Sequence, residues 1–84
     1  MDIARHEGTL TRRRNALGRF IGRRVRAERE GRGLRVADIA QITGRSEQEV
    51  RRLELGYHEP TLRTVYRVAS ALAIDPRTLL PPVK

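Results

Sequence analysis

The stretch VADIAQITGRSEQEVRRLEL, residues 36–55, decides the fold. Its first part, from Val36 to about Ile42, sets Ile39 and Ala40 on one face of a short helix, and Thr43-Gly44 stops it. Ser46 then reads as the N-cap of a further helix, with Glu47 and Glu49 in its first turn near the positive end of the dipole. Val50 and Leu53 point inward from that helix, and Gly56 ends it. Two helices meeting at about 90–120° need a side chain as small as Ala40 where their backbones approach, and a three- or four-residue turn favours a left-handed glycine such as Gly44. The spacing therefore predicts two helices joined by a tight turn, the second with its outer face free.

The flanking sequence extends this pair on both sides. Upstream, Asn15 can cap a helix whose apolar residues Leu17, Phe20, Ile21 and Val25 share one face, although Gly18 and Gly22 each cost it about 1 kcal/mol relative to Ala. The glycines of Gly31-Arg32-Gly33 end that helix, and Leu34 closes the turn. Downstream, after Tyr57-His58-Glu59-Pro60, Thr61 caps a fourth helix with apolar positions Leu62, Val65, Val68, Ala69 and Leu72. Asp75-Pro76 reads as the opening of a short fifth helix holding Leu79 and Leu80, and Pro81-Pro82 stops it. Residues 1–14 (MDIARHEGTLTRRR) lack sustained periodicity, carry Gly8 and end in Arg12, Arg13 and Arg14, which predicts a flexible basic arm. The expected architecture is all-α: a compact five-helix domain over residues 15–84 behind an arm at 1–14, with no strand signal and no repeat.

Composition narrows the function. Eighty-four residues allow one small domain and exclude a two-domain enzyme with an interdomain cleft. With 38% hydrophobic residues and only Phe20, Tyr57 and Tyr66 as aromatics, the core must be small and aliphatic. The absence of cysteine removes disulfides and thiolate zinc sites, and His6 and His58 are too far apart in sequence for a local metal pair, so no metal or cofactor is expected. Ser46 and Ser70 with the two histidines have no spacing that assembles a nucleophile with a base. No apolar stretch approaches a membrane span and the N-terminus lacks a signal-peptide core, which leads us to expect a cytoplasmic, nucleoid-associated protein. The net charge of +8 is unevenly placed: residues 1–35 hold 11 basic and 4 acidic residues, residues 36–84 hold 7 and 6. Seventeen of the 18 basic residues are arginine, whose planar fork suits phosphate and guanine.

From Leu17 to Leu80 the chain resembles the helix-turn-helix domain of the lambda-repressor-like, Xre-type (Cro-like) transcriptional regulators. The resemblance rests on Gly33-Leu34, on Ile39-Ala40 before Gly44, on Ser46, Val50, Leu53-Glu54 and Gly56, on Pro60, and on Ala69 and Leu72 before Asp75. It implies double-stranded DNA as partner, with the helix 47–54 entering the major groove by its N-terminal residues. By position, Ser46, Glu47, Gln48, Arg51 and Arg52 would then face base edges: Gln48 suits adenine, Arg52 guanine, and Glu47 the amino group of cytosine. Arg35, Tyr57, His58, Thr61 and Arg63 would contact phosphate, and Arg12, Arg13 and Arg14 would lie along a minor groove. Arg29 and Glu54 sit beside the core, and the resemblance makes them a structural ion pair. It also implies a homodimer joined through Leu79, Leu80 and Val83, since one recognition helix reads only a few base pairs.

The sequence departs from the pattern at three places. Arg35-Val36 replaces the usual polar pair opening the second helix, Arg45 stands where an apolar residue is usual, and Tyr57-His58 replaces Lys or Arg. In addition, the segment from Glu47 to Glu54 carries three acidic and two basic residues. This acidity supports a second reading, a helix-turn-helix module or antitoxin that binds a protein partner. The leading reading is a dimeric, sequence-specific repressor.

Overall fold

The computed structural model describes the backbone of residues 3–82 and the side chains of residues 16–82. Four helices follow one another, α1 (Ile3–Gly31), α2 (Val36–Thr43), α3 (Glu47–Leu55) and α4 (Leu62–Leu72), then a 3-10 turn at Pro76–Leu79. The described residues contain no strand. The fifth helix expected from the sequence is thus a single tight turn. Its opening matches expectation: the Asp75 side chain accepts from the Arg77 amide, with Pro76 in the first turn.

The first helix begins at Ile3 rather than after Asn15, so most of the segment expected to be an arm is continuous with α1 in backbone. Residues 3–14 contain no proline and only Gly8 as a helix breaker, and Ala, Leu, Glu and Arg dominate among the rest, all good helix formers. Absence of an apolar stripe does not forbid a helix. The side chains of Arg12, Arg13 and Arg14 lie outside the described residues, as does Val83.

One aliphatic core joins the elements: Ile21 and Val25 from α1, Ile39 and Ala40 from α2, Val50 and Leu53 from α3, Val65, Val68, Ala69 and Leu72 from α4, and Leu79 from the 3-10 turn. Of the apolar positions expected for α4, Leu62 does not join the core and is 63% exposed. It is the first residue after the Thr61 cap and precedes the point where α4 meets the core.

The α2–α3 turn is built as its residues require. Gly44 takes φ 73°, its amide and that of Arg45 both return to the Ala40 carbonyl, and Ser46 caps α3 by accepting from the Glu49 amide at 3.1 Å. Glu49 reciprocates with the Ser46 amide at 3.0 Å, completing a capping box. Val50 and Leu53 then face the core, which fixes the opposite face of α3 outward.

Gly18 and Gly22, a cost in helix propensity, set the distance between α1 and the end of α3. A Cβ at Gly18 would lie 2.6 Å from the His58 carbonyl oxygen, and one at Gly22 would collide with the carbonyls of Leu53 and Glu54. Gly56 repeats the constraint from the other side, at φ 73° and against the α1 backbone at Arg19. The three glycines form a seam along which two backbones touch.

Candidate nucleic-acid interface

With about 100° between successive helical residues, Gln48, Arg52 and Leu55 occupy a sector of about 60° opposite Val50 and Leu53. Gln48, Arg51, Arg52 and Leu55 are all exposed, as are Ser46 and Glu47. The acidic residues of the segment are each engaged. Glu54 takes a two-pronged pair from Arg29, Nε to Oε2 at 2.7 Å and Nη2 to Oε1 at 3.0 Å, with the two side chains only 7% and 11% exposed. Arg29 also donates to the Leu34 carbonyl at 2.9 Å, and its pKa is raised, first by the hydrogen bonds to Glu54. Glu49 is held in the capping box and by Arg45 at 3.3 Å. The Ser46 amide keeps its carboxyl below the usual range. Glu47 pairs with Arg51 at 3.1 Å. Among the described residues Gln48 and Arg52 make no side-chain bond, so these two remain available to a groove.

Two flanks border this face. On one, the side chain of Arg35 projects at the start of α2 but is tied to Asp38, Nη2 to Oδ1 at 3.2 Å. Asp38 in turn accepts from the Arg35 amide, which lowers its pKa, while the hydrogen bond to Asp38 raises that of Arg35. On the other flank, Tyr57, His58, Thr61 and Arg63 are exposed around the loop leading into α4. Thr61 is committed to capping, its hydroxyl accepting from the Thr64 amide at 3.2 Å.

Three residues not assigned a role by sequence reasoning border the same surface. Arg45, anomalous as a non-apolar residue, bridges α3 and α4 by donating to Thr64 Oγ1 at 2.9 Å while pairing with Glu49. It helps line a cavity of about 390 Å³ with Arg52, His58 and Pro60. Arg26 lies beside Val36, Arg51 and Leu55. It stands one helical turn before Arg29, and that spacing was the available signal. Leu55 signalled itself as an apolar residue on a polar face.

The expected dimerisation residues fare differently. Leu79 is completely buried in the core, because the Asp75-Pro76 turn folds the chain back over α4 and α1 and Arg24 donates to the Thr78 carbonyl at 3.1 Å. It is therefore unavailable to a partner. Leu80 is half-buried against the same core.

Two helices set by Ala40 and Gly44, with the second presenting an uncommitted polar stripe, define a helix-turn-helix domain. The chain belongs to the HTH_3 helix-turn-helix family, whose model matches residues 25–79. It is similar to the restriction-modification controller protein C.AhdI from Aeromonas hydrophila, at 30% identity over 75% of this chain and 96% of that one, with a TM-score of 0.71. An HTH_3 family transcriptional regulator from Vibrio cholerae matches at 28% identity with a TM-score of 0.73, over 77% of this chain and 36% of that larger one. The clp gene regulator ClgR from C. glutamicum shares the fold at 21% identity, over 74% of this chain and 80% of that one, with a TM-score of 0.72. No curated protein sequence matches detectably. These matches place the chain among DNA-binding regulators rather than enzymes. None of the helices among the described residues is long and apolar enough to cross a membrane.

Proposed function

We propose that this protein is a sequence-specific regulator of transcription that lays α3 in the major groove of double-stranded DNA as a dimeric repressor. Gln48 reads adenine and Arg52 reads guanine, while Ser46, Glu47 and Arg51 border the contact. Arg35, Tyr57, His58, Thr61 and Arg63 hold phosphates on the two flanks, and Arg12, Arg13 and Arg14 add attraction to a neighbouring groove. The observation that carries this reading is the division of charge on α3: every glutamate has a partner within the protein, and Gln48 and Arg52 have none among the described residues. The same division bears against the protein-partner reading, which rested on the acidity of α3, because Arg45 and Arg51 offset the charge of Glu49 and Glu47. Likeness to a restriction-modification controller protein supports a regulatory role. Dimerisation rests on the short reach of one helix. With Leu79 in the core, the exposed Leu62 and Tyr66 on α4 are among the apolar residues open to a second copy, beside the half-buried Leu80.

Titration with duplex fragments at several salt concentrations tests the proposal. The expected result is saturable preference for one palindromic fragment, abolished by Gln48→Ala together with Arg52→Ala. Salt-sensitive binding without sequence preference would reduce the protein to a coating role.

A further inference from the structure

A site beside the reading stripe has no role in the scheme above. Val36 and Leu55 line one depression of about 240 Å³ at the end of α3, together with Arg26, Arg51 and Glu54. Val36 is the residue that broke the polar pair opening α2. Leu55 is 56% exposed although it is apolar, and it shares its sector with Gln48 and Arg52. Glu54 repels little there, because Arg29 already neutralises it.

Resting on the DNA reading above, we infer that this depression is a subsite for the C5 methyl group of a thymine in the major groove. Three observations favour that occupant. Leu55, which lines the site, shares the outward sector of α3 with Gln48 and Arg52, so a base read by those residues would have a neighbour within reach of Leu55. Thymine alone among the bases presents a methyl group in the major groove; the polar edges of the others would lose their hydrogen bonds against Val36 and Leu55. Arg26, Arg51 and the adjacent Arg35 are basic and exposed, and their surface pairs with Glu30, Glu47 and Asp38 can yield to the phosphates that flank such a base. The apolar departure at Val36 and the exposed Leu55 thus act together and add a thymine preference that neither shows alone.

The test uses the full chain and sites enriched from a random duplex library. Each thymine in an enriched site is replaced singly by deoxyuridine, which removes only the methyl group, and affinity is read by fluorescence anisotropy. In the unaltered protein one thymine per half-site is expected to be sensitive, with about fourfold weaker binding, equivalent to about 0.8 kcal/mol for one buried methyl group. In Leu55→Ala the ratio between the thymine and deoxyuridine duplexes should fall close to one, whereas Arg63→Ala should keep it. Val36→Ala, first checked for an intact thermal transition, should reduce the same ratio. The inference is overturned if no thymine is sensitive, if sensitivity persists unchanged in both variants, or if Leu55→Ala weakens both duplexes equally, which would mean packing on the sugar instead. Enrichment of no sequence at all would overturn base reading itself, and this subsite with it.

Discussion

Gly22 and Gly31 belong to the same helix and should respond oppositely to alanine. A Cβ at Gly31 meets nothing within 4 Å, so Gly31→Ala is expected to add the ordinary helix-propensity gain, up to about 1 kcal/mol. At Gly22 the Cβ would strike backbone carbonyls of α3 that cannot rotate away, and Gly22→Ala should cost about 1–3 kcal/mol despite the same local preference. Urea denaturation of the two variants checks this; equal stabilisation of both would remove the seam from the account. The Arg29–Glu54 pair is a second residue-scale case. Losing either partner leaves a nearly buried charge, and Arg29→Ala also frees the Leu34 carbonyl, so each single substitution should cost about 3–5 kcal/mol. The double substitution should cost little more than either alone. Additive losses in the cycle would show the two residues to be independent.

At the scale of elements, three helix openings depend on carboxylates. Asp38 accepts from the Arg35 amide at α2, Glu49 from the Ser46 amide at α3, and Asp75 takes hydrogen bonds from the Arg77 side chain and amide at the 3-10 turn. All three have lowered pKa values, Asp75 reaching about 2 from its ordinary 3.8. A group whose folded pKa is depressed adds stability above its unfolded value and loses it as pH falls through the folded one. The fold should therefore hold constant stability above about pH 5 and loosen between about pH 4 and pH 2. Thermal melts across that range test this, and Glu49→Gln should flatten part of the decline. A melting temperature independent of pH down to 2 would contradict it. The αL positions at Gly44 and Gly56 close α2 and α3 from the other end, where the sequence placed them.

For the whole molecule, the uneven charge acquires a structural meaning. The reading segment is net acidic in sequence, yet Arg29 from α1 and Arg45 from the turn neutralise two of its glutamates, leaving Arg52 to act. Under the proposed DNA reading, non-specific attraction and base selection belong to different parts of the chain. Deleting residues 1–14 should lower DNA affinity and the slope of log K against log salt while leaving sequence preference intact. Among the described residues the buried core starts at Ile21, with Leu17 packed on it, and both lie beyond the deleted segment. If preference disappears with the deletion, the segment reads DNA as well.

The sequence by itself determined the elements from Val36 to Leu72. Capping residues, left-handed glycines and the spacing of Ile39, Val50, Leu53, Val65 and Val68 are local signals, and each acts within a few residues of its effect. It also marked the exposed stripe of α3, because fixing Val50 and Leu53 inward fixes Gln48 and Arg52 outward. Only the tertiary structure decided what depends on contacts between distant residues. Gly18 and Gly22 look like helix weaknesses until α3 is set against them, Leu79 looks free until the Asp75-Pro76 turn folds it into the core, and Val36 and Leu55 look unrelated until α2 and α3 bring them to one depression. Periodicity tells which face of a helix is apolar. It does not tell what covers that face, since this follows from the path of the rest of the chain.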